Sequence, residues 1–163
     1  MERTNKQLSL LFICLGNICR SPAAESIMRK MVGECEAGKN IEIDSAGIGN
    51  WHVGQLPDAR MRNHALRRGY VLDSHARQFS ERDFNHFDYI VVMDEDNYHE
   101  ISSRARSEEE LAKVVRMKDY FLQYKNHTCV PDPYYGGDED FELALDLIED
   151  GCKGILRELR IKS

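Results

Sequence analysis

The sequence predicts an α/β protein, one domain whose parallel strands alternate with helices. Short apolar runs near residues 10–15, 41–46, 89–93 and 114–117 have the length of strands rather than helices. Between and after them lie stretches with apolar residues at three- and four-residue spacing, the period of a helix. The 163 residues suffice for one domain with a real hydrophobic core. Strands alternating with helices imply crossover connections and a parallel sheet. Such a sheet binds its ligands beyond the carboxyl ends of its strands.

Residues 1–7 are polar and are expected to be a loose leader, with the domain spanning 8–163. Leu8–Cys14 is an apolar run and the first strand. The chain then turns through Gly16 and Asn17, both tolerant of positive φ. Ser21-Pro22, an N-cap residue followed by proline at the first helical position, opens a helix to about Val32. Ala24, Ile27, Met28 and Met31 recur on it at helical spacing, and Glu25 is placed to help cap its first turn. Gly33 to Asn40 breaks the pattern, and Ile41 to Ala46 alternates as a second strand. A glycine-rich loop from Gly47 to Pro57 holds the only tryptophan, Trp51. Pro57-Asp58 opens a second helix running to about Arg68 and stopped by Gly69, with Arg67-Arg68 as its solvated end.

Tyr89 to Met93 is the third strand. It ends in Asp94-Glu95-Asp96-Asn97, either a metal-binding cluster or an acidic helix start that complements the helix dipole, and the second is favoured. Ser102 to Glu110 is a charged loop or short surface helix, and Val114 to Met117 a short fourth strand. A polar loop over Gln123–Pro131 follows. In the last helix, from about Asp138 to Ile161, Phe141, Leu145, Ile148, Cys152, Ile155 and Leu159 form one apolar stripe.

Bulk properties exclude several function classes. With 28 acidic and 22 basic residues the formal charge is −6, which offers no general attraction to nucleic acid. No apolar run reaches membrane-spanning length, and the N-terminus lacks the basic and apolar parts of a signal peptide. The five cysteines are odd in number and scattered, without zinc spacing, so neither a disulfide scaffold nor a metal site is expected. A reduced, cytoplasmic compartment follows, and it suits a catalytic thiolate.

Chemistry concentrates where the first strand meets the first helix. Successive backbone N–H groups in such a loop can turn inward as a nest for an oxyanion. Cys14 at its base would lie in a positive potential suited to a thiolate nucleophile. Arg20 would complete the cradle with a planar, permanently charged fork for two phosphate oxygens. Cys14-Leu15-Gly16-Asn17-Ile18-Cys19-Arg20-Ser21-Pro22 resembles the signature loop of the low-molecular-weight protein tyrosine phosphatases, and its place near the N-terminus of a chain this long agrees with that family. The resemblance covers nearly the whole chain and implies a four-stranded parallel sheet flanked by helices, the phosphotyrosine phosphatase I-like fold.

The same resemblance assigns further residues. The amides of Leu15, Gly16, Asn17, Ile18, Cys19 and Arg20 would hold phosphate. Ser45-Ala46-Gly47-Ile48 with Trp51-His52-Val53-Gly54 and Pro57-Asp58 is similar to the family's substrate-wall segment; a lone loop tryptophan can equally pack away from function. In Ser74-His75-Ala76-Arg77 the family's histidine is buried against the phosphate loop, so His75 would hydrogen-bond Asn17 with Ser45 in the same network. By residue type alone His75 reads as a core histidine satisfied by backbone. Asp94 resembles a family residue packed near the first loop.

A phosphate ester also needs a proton delivered to its leaving oxygen. Asp132, in Val130-Pro131-Asp132-Pro133-Tyr134-Tyr135-Gly136-Gly137, is the candidate. Two flanking prolines stiffen its backbone, and Tyr134 and Tyr135 can wall a slot for an aromatic ring. By itself Asp132 could equally bond its own backbone in a turn. Asp-Pro-Tyr-Tyr before the last helix is the motif of the same family. The implied mechanism is attack by Cys14 on phosphorus, protonation of the phenolate by Asp132, and hydrolysis of phosphocysteine by water that Asp132 activates, with Ser21 hydrogen-bonding the sulfur. No metal or cofactor is required, because Arg20 and the loop supply the positive field. Cys19 either packs at the helix start or forms a reversible disulfide with Cys14 under peroxide.

The expected substrate is a phosphotyrosine-containing protein, with phosphate and vanadate-like oxyanions as inhibitors and a monomer as the default. An arsenate reductase of the same fold would need a relay cysteine pair after the third strand, and residues 94–128 contain no cysteine. Related protein-arginine phosphatases carry a threonine where this loop has Ile18, whose branched apolar side chain favours phosphotyrosine. Against a silent phosphotyrosine-binding module stand Cys14, Arg20 and Asp132 together.

Overall fold

The computed structural model describes residues 7–35 and 40–162, with side chains to 159. The expected leader lies, apart from Gln7, outside the described residues. Four strands form one all-parallel sheet: β1 (Leu8–Cys14), β2 (Ile41–Gly47), β3 (Tyr89–Val92) and β4 (Val114–Arg116). Their spatial order is β2-β1-β3-β4. β1 pairs on one side with β2, from Leu8 opposite Ile41 to Cys14 opposite Gly47, and on the other with β3, from Leu10 opposite Tyr89 to Ile13 opposite Val92. This central strand is buried along its length, which is why its sequence is continuously apolar rather than alternating. The order reverses direction at β1, so the carboxyl end of β1 is the crevice where such a sheet binds ligands.

Helices cover both faces. One face packs on α1 (Arg20–Gly33) and α6 (Asp138–Lys162), which touch each other extensively, with α2 (Ala59–Arg67) against α6. The other carries α3 (Arg82–His86), α4 (Glu95–Ser103) and α5 (Glu108–Ala112). Two clusters of buried residues follow from this sandwich. Leu10 and Phe12 point to the α1/α6 side, and Leu11 and Ile13 to the other, where Phe79, Phe84 and Ile101 meet them. The stripe expected on α6 from Phe141 to Leu159 is buried. Truncating Leu145 within it to alanine would cost about 2–5 kcal/mol.

Several expectations change. α2 starts after Asp58, whose carboxylate accepts from the amides of Arg60 and Met61, and Gly69 follows its end with φ 90°. Arg68 is not a solvated end: it donates to Glu142 and Glu149 and pairs with Asp146, all on α6. The sequence places its charge at a helix terminus, but three carboxylates from the last helix converge there. α1 begins at Arg20 rather than Ser21, with Cys19 at the N-cap, so Ser21 is not the cap. Its hydroxyl is drawn instead toward Cys14 and Asn17. Glu25 caps nothing either. It is buried and accepts from the Ser45 hydroxyl at 2.5 Å. β4 is one residue shorter than expected, giving way to a 3-10 turn over Met117–Tyr120.

Candidate active site

β1 delivers Cys14 to the carboxyl edge of the sheet, and the next five residues, Leu15 to Cys19, bend back to α1. Asn17 makes the bend with φ 58°, the left-handed region in which Asn is better tolerated than most residues. The carbonyls of Cys14, Leu15 and Ile18 turn outward and accept from the amides of Ile48, Gly49 and Asp58. The amides of Leu15 to Arg20 have no protein acceptor among the described residues. With those carbonyls engaged elsewhere, the loop beside Cys14 carries six N–H groups without protein acceptors, a set of donors of the kind an anion can occupy. β2 approaches this loop so closely that a Cβ on Gly47 would lie 2.9 Å from the Asn17 nitrogen, so only bare backbone fits there.

One chain of hydrogen bonds fixes the loop. The Asn17 amide nitrogen donates to the Ser21 hydroxyl at 2.7 Å and to the Ser45 hydroxyl at 3.0 Å, and Ser45 in turn donates to Glu25. The Asn17 carbonyl oxygen accepts from the Arg77 amide at 3.0 Å. Ser21 Oγ lies 3.0 Å from Cys14 Sγ. Ser45 is thus in the network expected for it, but His75 is not: its side chain is exposed, and the main chain two residues later serves Asn17. Arg77 itself is held by Asp44 and Asp83, which sets the position of that amide. Neither a buried contact with the loop nor a core position holds for His75.

Arg20 is 2% exposed. Its Nη1 donates to Asp94 Oδ2 at 2.7 Å and to the Val130 carbonyl at 2.9 Å. Asp94 therefore does pack near the first loop, while its other oxygen caps α4, Glu95 pairs with Arg116, and Glu95 and Asp96 lie in the first turn of α4, where acidic side chains complement the helix dipole. Burial opposes the charge on Arg20, but Cys14, Asp94 and Asp132 outweigh it and hold the guanidinium protonated. Among the described residues its Nε has no partner, and Nη2 has only Asp132 Oδ2 at 3.6 Å. One edge of the guanidinium is moored in protein and the opposite edge is left for a bidentate anion.

Asp132 shares a cavity of about 300 Å³ with Cys14, Ile18 and Arg20. Its Oδ1 accepts from the Tyr134 amide at 3.1 Å, so the turn contact to its own backbone and the position over the cavity coexist. Trp51, Tyr134 and Tyr135 line the mouth, Trp51 65% and Tyr135 94% exposed, with the tyrosine rings in a T-shaped pair. Trp51 is therefore at the site rather than packed away. His52, inside the expected substrate-wall segment though not singled out there, also lines it, its ring 6.4 Å from that of Tyr134. Arg60, just inside α2, reaches the Tyr134 carbonyl at 2.9 Å; nothing in its sequence context pointed to the site.

Cys19 is buried close to Cys14 as a free thiol. Burial, with Asp58, Cys14 and Asp132 nearby, pushes its thiol far up, so it stays protonated. Cys35 and Cys152 are free thiols that do not line the cavity, and no disulfide links the described cysteines.

Residues 9–163 match the family model for low molecular weight phosphotyrosine protein phosphatase. A relative from Synechocystis is 45% identical over 152 residues, 93% of this chain and 96% of its own. The low molecular weight protein-tyrosine-phosphatase YfkJ of Bacillus subtilis is 40% identical, covering 94% of this chain and 96% of its own. Among solved structures, a protein tyrosine phosphatase from Entamoeba histolytica, with Hepes in its active site, superposes with TM-score 0.92 at 43% identity over 96% of this chain and 99% of that one.

Proposed function

Because the chain belongs to the low molecular weight phosphotyrosine protein phosphatase family, a family of hydrolases, we propose that Cys14, Arg20 and Asp132 carry out phosphotyrosine hydrolysis here. The observation that carries this assignment is the unpaired Nε edge of buried Arg20, beside six amides without acceptors and in one cavity with Cys14 and Asp132. A buried guanidinium Nε and six amides without protein acceptors, with Nη2 held only by the longer 3.6 Å contact to Asp132, call for an oxyanion that accepts from several directions.

The Cys14 thiolate attacks phosphorus in line with the ester oxygen. As the P–O bond breaks, Asp132 transfers its proton to the leaving phenolate, giving tyrosine and a phosphocysteine. Arg20 and the amides of Leu15 to Arg20 hold the three equatorial oxygens throughout. Asp132, now a carboxylate, takes a proton from water as the water attacks phosphorus and the P–S bond breaks. The Ser21 hydroxyl donates to the departing sulfur. Trp51, Tyr134 and Tyr135 sandwich the substrate ring, and the loop anchors at Asn17 and Ser45 keep the cradle shaped for phosphate.

The substrate is a phosphotyrosine-bearing protein, and phosphate and vanadate-like oxyanions inhibit by occupying the cradle. The domain spans 8–163 and acts as a monomer in the cytoplasm, a setting supported by the free thiols. No helix among the described residues is long and apolar enough to cross a membrane. Cys19 serves as redox partner to Cys14: peroxide yields a disulfide between them, and a mass spectrum showing Cys14 going straight to sulfinic acid would sink that role.

The decisive experiment assays p-nitrophenyl phosphate and a phosphotyrosine peptide at mildly acidic pH, with vanadate inhibition and a phosphoarginine control. Cys14→Ser abolishes turnover yet still binds phosphate. Asp132→Ala slows hydrolysis by about 10²–10⁴-fold. Undiminished hydrolysis by either variant, or preference for phosphoarginine, overturns the assignment.

A further inference from the structure

The general acid needs a fixed distance from the nucleophile, yet Asp132 lies on an irregular segment between Phe121 and α6. Arg60 supplies the connection. Its Nε and Nη2 donate to the two carboxylate oxygens of Asp58, at 3.2 and 3.1 Å, and Nη2 also donates to the Tyr134 carbonyl at 2.9 Å. Both ends of this bridge lead into the site. The Asp58 amide donates to the carbonyl of Ile18, inside the phosphate loop, at 2.7 Å. The Tyr134 amide donates to Asp132 Oδ1 at 3.1 Å. The guanidinium is further located by two rings, 5.5 Å from the centroid of Tyr134 and 4.8 Å from that of Phe141 on α6.

We propose that Arg60 is a positioning residue for the general acid: a brace running from Ile18 through Asp58 and Arg60 to Tyr134 and Asp132 that sets the height of the carboxyl group above the Cys14 sulfur. The inference rests on Asp132 being the acid, as assigned above. A planar fork suits this task because it holds the Asp58 carboxylate with two parallel bonds while a remaining N–H reaches the carbonyl. Lysine, a point donor on a flexible stem, could not hold both ends in one geometry. The Arg60 side chain is 47% exposed, so truncating it removes no buried group and uncovers only one face of the Phe141 ring.

A brace on the acid has a signature that a general structural role lacks. Its loss matters in proportion to how badly the leaving group needs a proton. The test compares wild type, Arg60→Ala and Asp132→Asn on phenyl phosphate, a poor leaving group, and 2,4-dinitrophenyl phosphate, which departs unaided. The readout is kcat/KM, which reports the first chemical step. A misplaced acid should lower kcat/KM of Arg60→Ala on phenyl phosphate by about 10–100-fold, and on the dinitrophenyl ester by less than about threefold, with vanadate inhibition unchanged. Asp132→Asn should show the same selectivity in larger measure. Equal losses on both esters in Arg60→Ala, or none on phenyl phosphate, while Asp132→Asn stays selective, overturn the brace and leave the acid assignment standing. If Asp132→Asn shows no selectivity, the acid assignment fails and the brace with it.

Discussion

The Ser21 hydroxyl oxygen lies 3.0 Å from the Cys14 sulfur and also receives a hydrogen from the Asn17 amide at 2.7 Å. Accepting from Asn17, the Ser21 hydroxyl keeps its own hydrogen free to donate to the sulfur. That polarity favours a sulfur bearing negative charge, the state that re-forms when phosphocysteine breaks down. Ser21→Ala should therefore slow this second step by about 10²-fold. Rapid quench or phosphorus NMR should then show phosphocysteine accumulating; a variant as slow but without trapped intermediate would contradict the role.

Arg20 is held by Asp94 at 2.7 Å. Asp94→Asn keeps a side-chain oxygen for capping Asn97 but removes the charge opposite a buried guanidinium. Because Asp94 is itself partly exposed, the loss should be about 1–3 kcal/mol rather than the full cost of breaking a buried pair. Urea unfolding measures it. Phosphate inhibition should weaken about tenfold as the guanidinium loses its fixed orientation, and an unchanged inhibition constant would show that Asp94 does not aim it.

Two substitutions at Asn17 separate backbone strain from hydrogen bonding. Asn17→Gly tolerates φ 58° but loses the bonds to Ser21, Ser45 and the Arg77 amide. Asn17→Ala loses the same bonds and adds strain of about 1–2 kcal/mol. Both should be impaired in activity, with alanine the less stable in thermal unfolding; equal stability would remove strain from the account.

Burial raises the Glu25 carboxyl above its ordinary 4.5, against the Ser45 bond and Arg29, which lower it. Glu25 thus holds its proton more tightly in the folded protein than in the unfolded chain. Its contribution to stability is fully present below about pH 4.5 and is lost as pH rises through the raised folded value. Glu25→Gln has no such titration, so its stability relative to wild type should improve across that window and level off above it. Urea midpoints measured between pH 4 and 7 provide the check, and a flat difference would show that the buried carboxyl does not titrate differently on folding.

Trp51 is largely exposed at the cavity mouth. Trp51→Ala should leave thermal stability unchanged and raise KM for aryl phosphates several-fold, with kcat little altered because the reacting atoms are untouched. A drop in kcat with unchanged KM would move Trp51 from substrate wall to catalytic support.

Local patterning made much of this molecule legible. β1 and α6 were read from an apolar run and an apolar stripe, and their bounds match closely because each buries that pattern. Cys14, Arg20 and Asp132 stood out as residue types that the chemistry needs, in a recognisable order. What escaped depends on contacts distant in sequence. α3 has only five residues, too few to show a period. The Asn17 partner is the main chain of Arg77, and every residue has an amide, so no side chain announces it. Arg68 looked solvated because Glu142, Asp146 and Glu149 lie more than seventy positions away. His64 is buried between Glu142 and Asp138 for the same reason. Arg60 was likewise invisible, since beyond the neighbouring Asp58 its partner is the Tyr134 carbonyl, 74 positions away.

Tying down one side of the Arg20 guanidinium has a temporal consequence. A long, supple side chain surrenders its rotational freedom once, while the polypeptide folds, and not again at each catalytic cycle. An arriving phosphate finds its clamp already set, and product departure leaves that clamp ready for the next ester.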